Sequence, residues 1–407
     1  MLHFNSLNRL PFASDSQIYV SHHSIIGNPT TNLLYTIASA AIKPELVCCF
    51  HSISPKMILH VDAIQTALPG KVAHPGLARR IVMAAPLGPE VLQRRFQVVL
   101  YYGKAGDEEV ESPLTVAAWI KESLSAVLSG HPILSGRLRN SGGSWEVKFN
   151  DSGVRLVQAT AEMTMSEFLA SEDRDGKEAQ SLLRYDCLRF TLVIVDNTIL
   201  WLQVTQFQGD GYAIGISCSL LLADPLFLSR FLRSWSQTHM QLLAQGRLTK
   251  PPMFHLSYFR GPNRPRRVKS VPFTSSSATT TTMLFKADPP PDAQSYSDLS
   301  AACLREATRR LGAEAVPEFS LMISDHTGDL KVGSHGATGL AYPKQVLEVV
   351  RWSQLGMEEV AFTPGNRPVH VSHQIVSCGH SRLVIAMMTS EAVGDPKLTI
   401  SVTVPNN

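Results

Sequence analysis

The sequence has no uninterrupted apolar run long enough to cross a bilayer. Its most apolar stretch near the start, Leu33 to Phe50, is broken by Lys43, Pro44 and Glu45, whereas a spanning helix needs about 20 apolar residues. Residues Met1 to Asp15 lack the basic-then-apolar order of a secretory signal. Charge is sparse: 17% of the 407 residues, with a net charge of +3, too little to make nucleic acid the main partner. The six cysteines (Cys48, Cys49, Cys187, Cys218, Cys303, Cys378) form no C-x-x-C pair and no zinc-type spacing. This excludes a disulfide scaffold and fits a reducing compartment. Cys218, inside an apolar run, reads as a small buried hydrophobe. No two histidines have metal-binding spacing on one helix, no G-x-S-x-G is present, and no repeat of fixed period is visible.

What is present is apolar mass. At 44% hydrophobic residues, the chain can bury a large core and is not a disordered segment. Residues 1–56 are polar and weakly periodic, and read as a poorly ordered leader. "MILHVDAIQTALPGKV", from Met57, then alternates as a strand and ends in a Pro-Gly turn. "FQVVLYY", from Phe96, reads as a buried strand. Thr115–Leu128 reads as a helix with Val116, Trp119, Ile120, Leu124 and Leu128 on one face. "SWEVKF" and "VRLVQA" read as a hairpin around Asn150–Gly153, and "WLQVTQF" and "YAIGISCSLLL" as another around Gly209-Asp210-Gly211. A helix is predicted from Pro225 to about Gln245, with its stripe at Leu228, Phe231, Leu232, Trp235 and Leu242 and a stop at Gly246. Residues 247–282 read as an exposed linker. Beyond it come a helix over Asp298–Leu311 and four strands: "EFSLMI", "VHVSHQIV", "RLVIAMM" and "LTISVTV".

Three stretches together resemble the plant BAHD acyl-CoA-dependent acyltransferases: "VLSGHPILSGRLR" (Val127–Arg139), "NDSGVRLVQA" (Asn150–Ala159) and Leu202–Trp235. In that family the last carries H-x-x-x-D-G between a strand and a helix. Here the histidine falls on Leu220, the aspartate on Asp224 and the glycine on Pro225. A second family motif, D-F-G-W-G, falls near Phe362–Pro368, where only Gly365, Arg367 and Pro368 match convincingly. The combination looks most like the eceriferum-type branch, whose members assist elongation of very-long-chain fatty acids for surface wax. The resemblance implies an α/β (α+β), two-lobed fold like chloramphenicol acetyltransferase, with mixed sheets flanked by helices. The lobes would be 57–246 and 283–407, the second shortened.

A hydroxyl or amine attacking a thioester must lose a proton, and leucine cannot take it. A positioned base contributes roughly 10²–10⁴ in rate. The sequence therefore implies a protein without standard histidine-based catalysis, acting as an accessory factor, with the condensing enzyme of a fatty-acid elongase as partner. No bound cofactor is expected; acyl-CoA is the expected substrate or ligand. The alternative is an O- or N-acyltransferase of specialised metabolism using another base, for which His326 and His335 are candidates. His131, His239, His370 and His373 read as surface histidines, the last two on a strand edge. Asp224 is either a carboxylate bracing the site through an arginine, as the resemblance implies, or an N-cap followed by Pro at the first helical position, the reading its local sequence favours. Ser217 and Ser219 read as small strand residues. The chain is expected to be a cytoplasmic monomer that reaches the endoplasmic reticulum through its partner. A basic cluster (Arg264, Arg266, Arg267, Lys269) also admits a nuclear address.

Overall fold

The computed structural model describes residues 58–74, 76–83, 89–104, 113–141, 144–149, 152–178, 200–248, 280–289, 293–314, 318–324, 329–336, 347–377, 382–389 and 397–406. The leader, nearly all of the predicted linker, its basic cluster and His326 lie outside them.

Two mixed sheets organise these residues, with helices flanking them: the α/β architecture the sequence predicts. One sheet has six strands in the order β1-β6-β7-β8-β3-β13. They are β1 (Leu59–Ala67), β3 (Arg95–Gly103), β6 (Val154–Ala161), β7 (Leu200–Gln206), β8 (Gly211–Ser219) and β13 (His370–Val376). Only β6 and β7 run parallel. The second sheet has nine strands in the order β12-β9-β15-β14-β10-β11-β2-β5-β4. They are β2 (Ala78–Met83), β4 (Arg137–Ser141), β5 (Ser144–Lys148), β9 (Thr280–Ala287), β10 (Glu318–Ser324), β11 (Leu330–Gly336), β12 (Glu348–Val350), β14 (Arg382–Thr389) and β15 (Lys397–Pro405). Each sheet takes strands from both halves of the chain: β13 pairs along β3, and β2 pairs with β11.

The helices include α2 (Pro113–Leu128), α5 (Pro225–Ala244) and α6 (Ala293–Leu311), with the short α1 (Pro89–Gln93), α3 (Met165–Leu169) and α4 (Arg174–Lys177) between strands. The predicted stripe of α5 is buried throughout: Leu228, Phe231, Leu232, Trp235 and Leu242. Each such side chain contributes about 1.5–3 kcal/mol on leaving water. These residues share one core with Ile120 and Leu124 of α2, with alternate β3 residues (Phe96, Val98, Leu100, Tyr102), and with Met322 and Ile385 of the nine-stranded sheet. On β3 the alternation works on both faces, since Val99 and Tyr101 enter a separate core with Phe168 and Phe207.

Two expectations are corrected. The Asn150–Gly153 turn does not close a hairpin: β5 pairs with β2 and β4, whereas β6 pairs with β1 and β7. The chain changes sheets there. Gly153 has φ 75°, and a Cβ on it would stand 2.5 Å from the Ala67 carbonyl oxygen, so the crossing needs glycine. The Thr run at the end of the predicted linker is instead the first part of β9, paired along β15; threonine's branched Cβ suits a strand.

Candidate functional site

The turn after β8 holds Leu220. β8 delivers the chain beside Arg95, and the Leu220 amide donates to the Arg94 carbonyl at 3.0 Å. The chain then tightens: the amides of Leu222 and Ala223 both donate to the Ser219 carbonyl, at 2.9 and 3.2 Å. Leu220 is only 2% exposed, and Leu221 and Leu222 are fully buried in the main core. Three consecutive apolar side chains are therefore packed where the resemblance places a proton acceptor.

Asp224 closes the turn and starts α5. Its backbone is extended (φ −79°, ψ 167°), its Oδ1 accepts from the Phe227 amide at 2.8 Å, and Pro225 follows at the first helical position. This is an N-cap in geometry and in sequence. Burial pushes its carboxyl above the usual range, while the Phe227 amide and the charges of Arg79 and Arg230 pull it back.

Two arginines tie this turn to the other sheet. Arg79 of β2 donates to the Leu222 carbonyl at 3.0 Å and to Ser324 Oγ of β10 at 2.7 Å. Arg94, whose carbonyl holds Leu220, donates to Ser320 Oγ of β10 at 2.7 Å. Neither was singled out in the sequence, because a lone arginine beside a strand carries no signal of its long-range partner.

The flanking serines are engaged in backbone support. Ser217 accepts from Arg95 through Oγ (2.7 Å) and carbonyl (2.8 Å), and Ser219 Oγ accepts from the Leu221 amide at 3.3 Å. Cys218 is buried, which pushes its thiol up to about 12. Gly209-Asp210-Gly211 turns the β7–β8 hairpin as predicted. Both Asp210 carboxylate oxygens accept from backbone amides at the start of α3, Met165 (2.6 Å) and Ser166 (2.9 Å).

The second motif region lies at the far end of β3. Gly365 has φ 74° in a turn closed by Asn366 N–H to the Thr363 carbonyl at 3.1 Å. Asn366 Nδ2 donates to the Gly103 carbonyl at 3.2 Å. Arg367 pairs with Glu359 at 3.0 Å on the surface, and Pro368 leads to Val369, whose amide donates to Tyr101. Phe362 is buried against Trp235 (4.7 Å) and His239 (5.2 Å). Leu220 binds the chain at Arg94 and Asn366 binds it at Gly103. About 30 Å of strand therefore separates the two motif positions, and the structure does not bring them together.

Of the histidines read as surface residues, His239 is buried and His131, His370 and His373 are half-buried. His239 is buried, its Nδ1 2.8 Å from Ser123 Oγ, which also accepts from Trp235 Nε1 at 2.9 Å; burial lowers its pKa to about 4. His373 lies against Trp352 (4.4 Å), its Nδ1 buried without a hydrogen-bond partner, and burial first, then His370, lowers its pKa to about 4. His370 packs on Tyr101. His131 meets Phe227 and Phe231 edge-on, and His335 contacts Ser297 Oγ at 2.9 Å. Sequence alternation missed these burials because β13, read as a polar edge, also approaches β9, where Thr280 Oγ1 donates to the Ile375 carbonyl. Among the described residues no three His, Cys, Asp or Glu side chains group as metal ligands, and no described helix is long and apolar enough to cross a membrane.

The turn between strand and capped helix, set between mixed sheets, agrees with what comparison with known proteins finds. The model of the transferase family matches residues 92–291, from α1 to just beyond β9. The matched stretch, just under half of the chain, is similar to this family, in agreement with the BAHD resemblance of the sequence. It is 32% identical to the protein ECERIFERUM 26-like of Arabidopsis thaliana over 119 residues, 29% of this chain and 27% of that protein. It is 29% identical to vinorine synthase of Rauvolfia serpentina over 140 residues, 34% of this chain and 32% of that enzyme. It is also 29% identical to ECERIFERUM 2 of Arabidopsis thaliana over 124 residues, 28% of this chain and 29% of that protein. The matched region thus spans about a third or less of each relative. The crystal structure of vinorine synthase aligns over 86% of this chain and 95% of its own, at 16% identity and a TM-score of 0.43.

Proposed function

We propose that this chain is a BAHD-family protein without histidine-based acyl transfer, acting as an accessory factor in very-long-chain fatty acid elongation and surface wax formation. The observation that carries the reading is Leu220, apolar and buried where the family resemblance calls for a base. The likeness to two ECERIFERUM proteins supports the branch. In this role the fold offers a surface to a condensing enzyme of the elongase, and any acyl-CoA is a ligand and not a turned-over substrate. Co-expression with such a condensing enzyme tests it: the product chain length shifts and the two proteins co-purify. An unchanged product profile with no association removes the proposal.

A second reading, an acyl-CoA-dependent transferase with another base, is supported by His373. Its imidazole is neutral at pH 7 and carries an unpartnered buried nitrogen. Turnover of acyl-CoA by the purified protein that is abolished by His373→Gln, or by the corresponding change at His326, would establish it over the first.

A further inference from the structure

On the face of β3 that carries Tyr101, one carboxyl gathers three distant parts of the chain. Glu178 ends α4, its amide donating to the Arg174 and Asp175 carbonyls. Its side chain reaches the six-stranded sheet. Oε1 accepts from the Tyr101 hydroxyl of β3 at 2.6 Å, and Oε2 accepts from the Ser372 hydroxyl of β13 at 2.5 Å. Glu178 is only 4% exposed. Its ion-pair partner Arg174 stands at 3.8 Å, beyond hydrogen-bond reach.

Taking a carboxylate out of water is costly, and a cation at that distance offsets only part of the cost. Burial accordingly pushes the Glu178 carboxyl above the usual range, against the pull of Ser372, Tyr101 and Arg174, while Asp175 adds a smaller push. The protonated carboxyl fits the same two neighbours without charge. Its C=O accepts from Tyr101 and its O–H donates to Ser372 Oγ, since a hydroxyl can serve either way. Two other titratable groups of the strands stand in this cluster among the described residues. Tyr101 is held as the neutral phenol by burial and then by Glu178. His370 packs on Tyr101 and is pushed below its ordinary value by burial first, then by Arg174.

The helix is the part able to respond. None of the four residues of α4 is buried, whereas Tyr101 and Ser372 lie in the paired strands β3 and β13. Bringing water to Glu178 therefore requires only that the end of α4 move, a local opening that leaves both ladders intact. We propose that Glu178 is a proton-operated latch: the protonated carboxyl seats α4 on β3 and β13, and ionisation lets α4 lift from the sheet. The inference is independent of the elongation role and has its own readout.

The test is native-state hydrogen exchange of the full-length protein across pH, with rates corrected for intrinsic exchange. The reporters are the amides of Lys177 and Glu178, which donate to the Asp173 and Arg174 carbonyls. The amides of Val98–Leu100 in β3 serve as the reference. A carboxyl raised in the closed form binds more protons closed than open. The opening constant at Lys177 and Glu178 should therefore rise with pH by up to about tenfold per unit, from the ordinary carboxylate range to the raised value, and level off above it. His370, lowered in the folded state, gives the opposite slope, so the sign separates the two groups. Glu178→Gln, uncharged and able to accept from Tyr101 and donate to Ser372, should stay protected and flat with pH. Ser372→Ala, which removes a donor to the carboxylate, should carry the rise to higher pH. Opening that is flat or falls with pH in the parent, a rise that survives in Glu178→Gln, or a rise shared equally by Val98–Leu100 would overturn the proposal.

Discussion

At the scale of the residue, the chemistry of Leu220 is decided by its surroundings more than by its identity. Reinstating a histidine there puts an imidazole among Leu221, Leu222 and the α5 core residues. A buried polar group without a hydrogen-bond partner costs about 1–3 kcal/mol. Leu220→His should therefore lower the unfolding free energy by that amount in urea titration and show no acyl-CoA turnover. Turnover by the single variant would mean that substrate reaches position 220 and that the packing is less complete than the 2% exposure indicates. Arg94 and Arg79 act on the same turn: the Arg94 carbonyl accepts from the Leu220 amide and the Arg79 guanidinium donates to the Leu222 carbonyl, so the backbone gains partners without any help from a side chain at 220.

At the scale of the element, α5 shows what could and could not be read from sequence. Its 3.6-residue stripe and its Asp-Pro start and Gly stop are local, and the helix forms where they place it. The cap can be separated from an ionic brace by two substitutions. Asp224→Ala should destabilise by about 1 kcal/mol, whereas Asp224→Asn, which keeps an acceptor for the Phe227 amide, should cost only a few tenths. The carboxyl is raised in the folded state. Its contribution is therefore fully present below the unfolded carboxylate range and falls as pH rises through the folded pKa, so melts of the Asn variant should improve relative to the parent as pH increases. An Asn variant as damaged as Ala would assign the role to charge, through Arg79 or Arg230. Elements whose identity depends on distant partners were less legible. The Asn150–Gly153 turn is evident as a turn, but which strands flank it as neighbours is fixed by pairings to β2 and β7, far along the chain. β9 hid in a Thr-rich stretch, and β11, with two glycines and a histidine in seven residues, has little strand signal of its own. The candidate site divides the same way: Asp224 and the turn were readable, whereas the arginine ties and the burial of His239 arise only when β2, β10 and α2 arrive.

At the scale of the whole molecule, the exchange of strands decides how the two sheets behave. β13 comes from the last fifth of the sequence and lies along β3 from Arg95 to Tyr101. β2, from the first part, pairs with β11 and brings β5 and β4 with it. The core is shared as well, with Val98 and Ile214 of one sheet and Val332 and Ile385 of the other in a single cluster. Neither half of the chain can be removed without breaking ladders in both sheets, and local opening confined to one sheet would expose a core that both need. Native-state hydrogen exchange reads this directly, because amides in one cooperative unit open with one free energy. The amides of Val98–Leu100 in β3 and Val384–Ala386 in β14 should show equal opening free energies, with the same denaturant dependence. Arg94→Met, which removes the tie to Ser320 but also the cost of burying a charge, should lower both together by about 1 kcal/mol. If β14 opens at a lower free energy than β3, or if Arg94→Met moves only one of them, the sheets unfold separately and the exchanged strands are appendages of otherwise independent bodies.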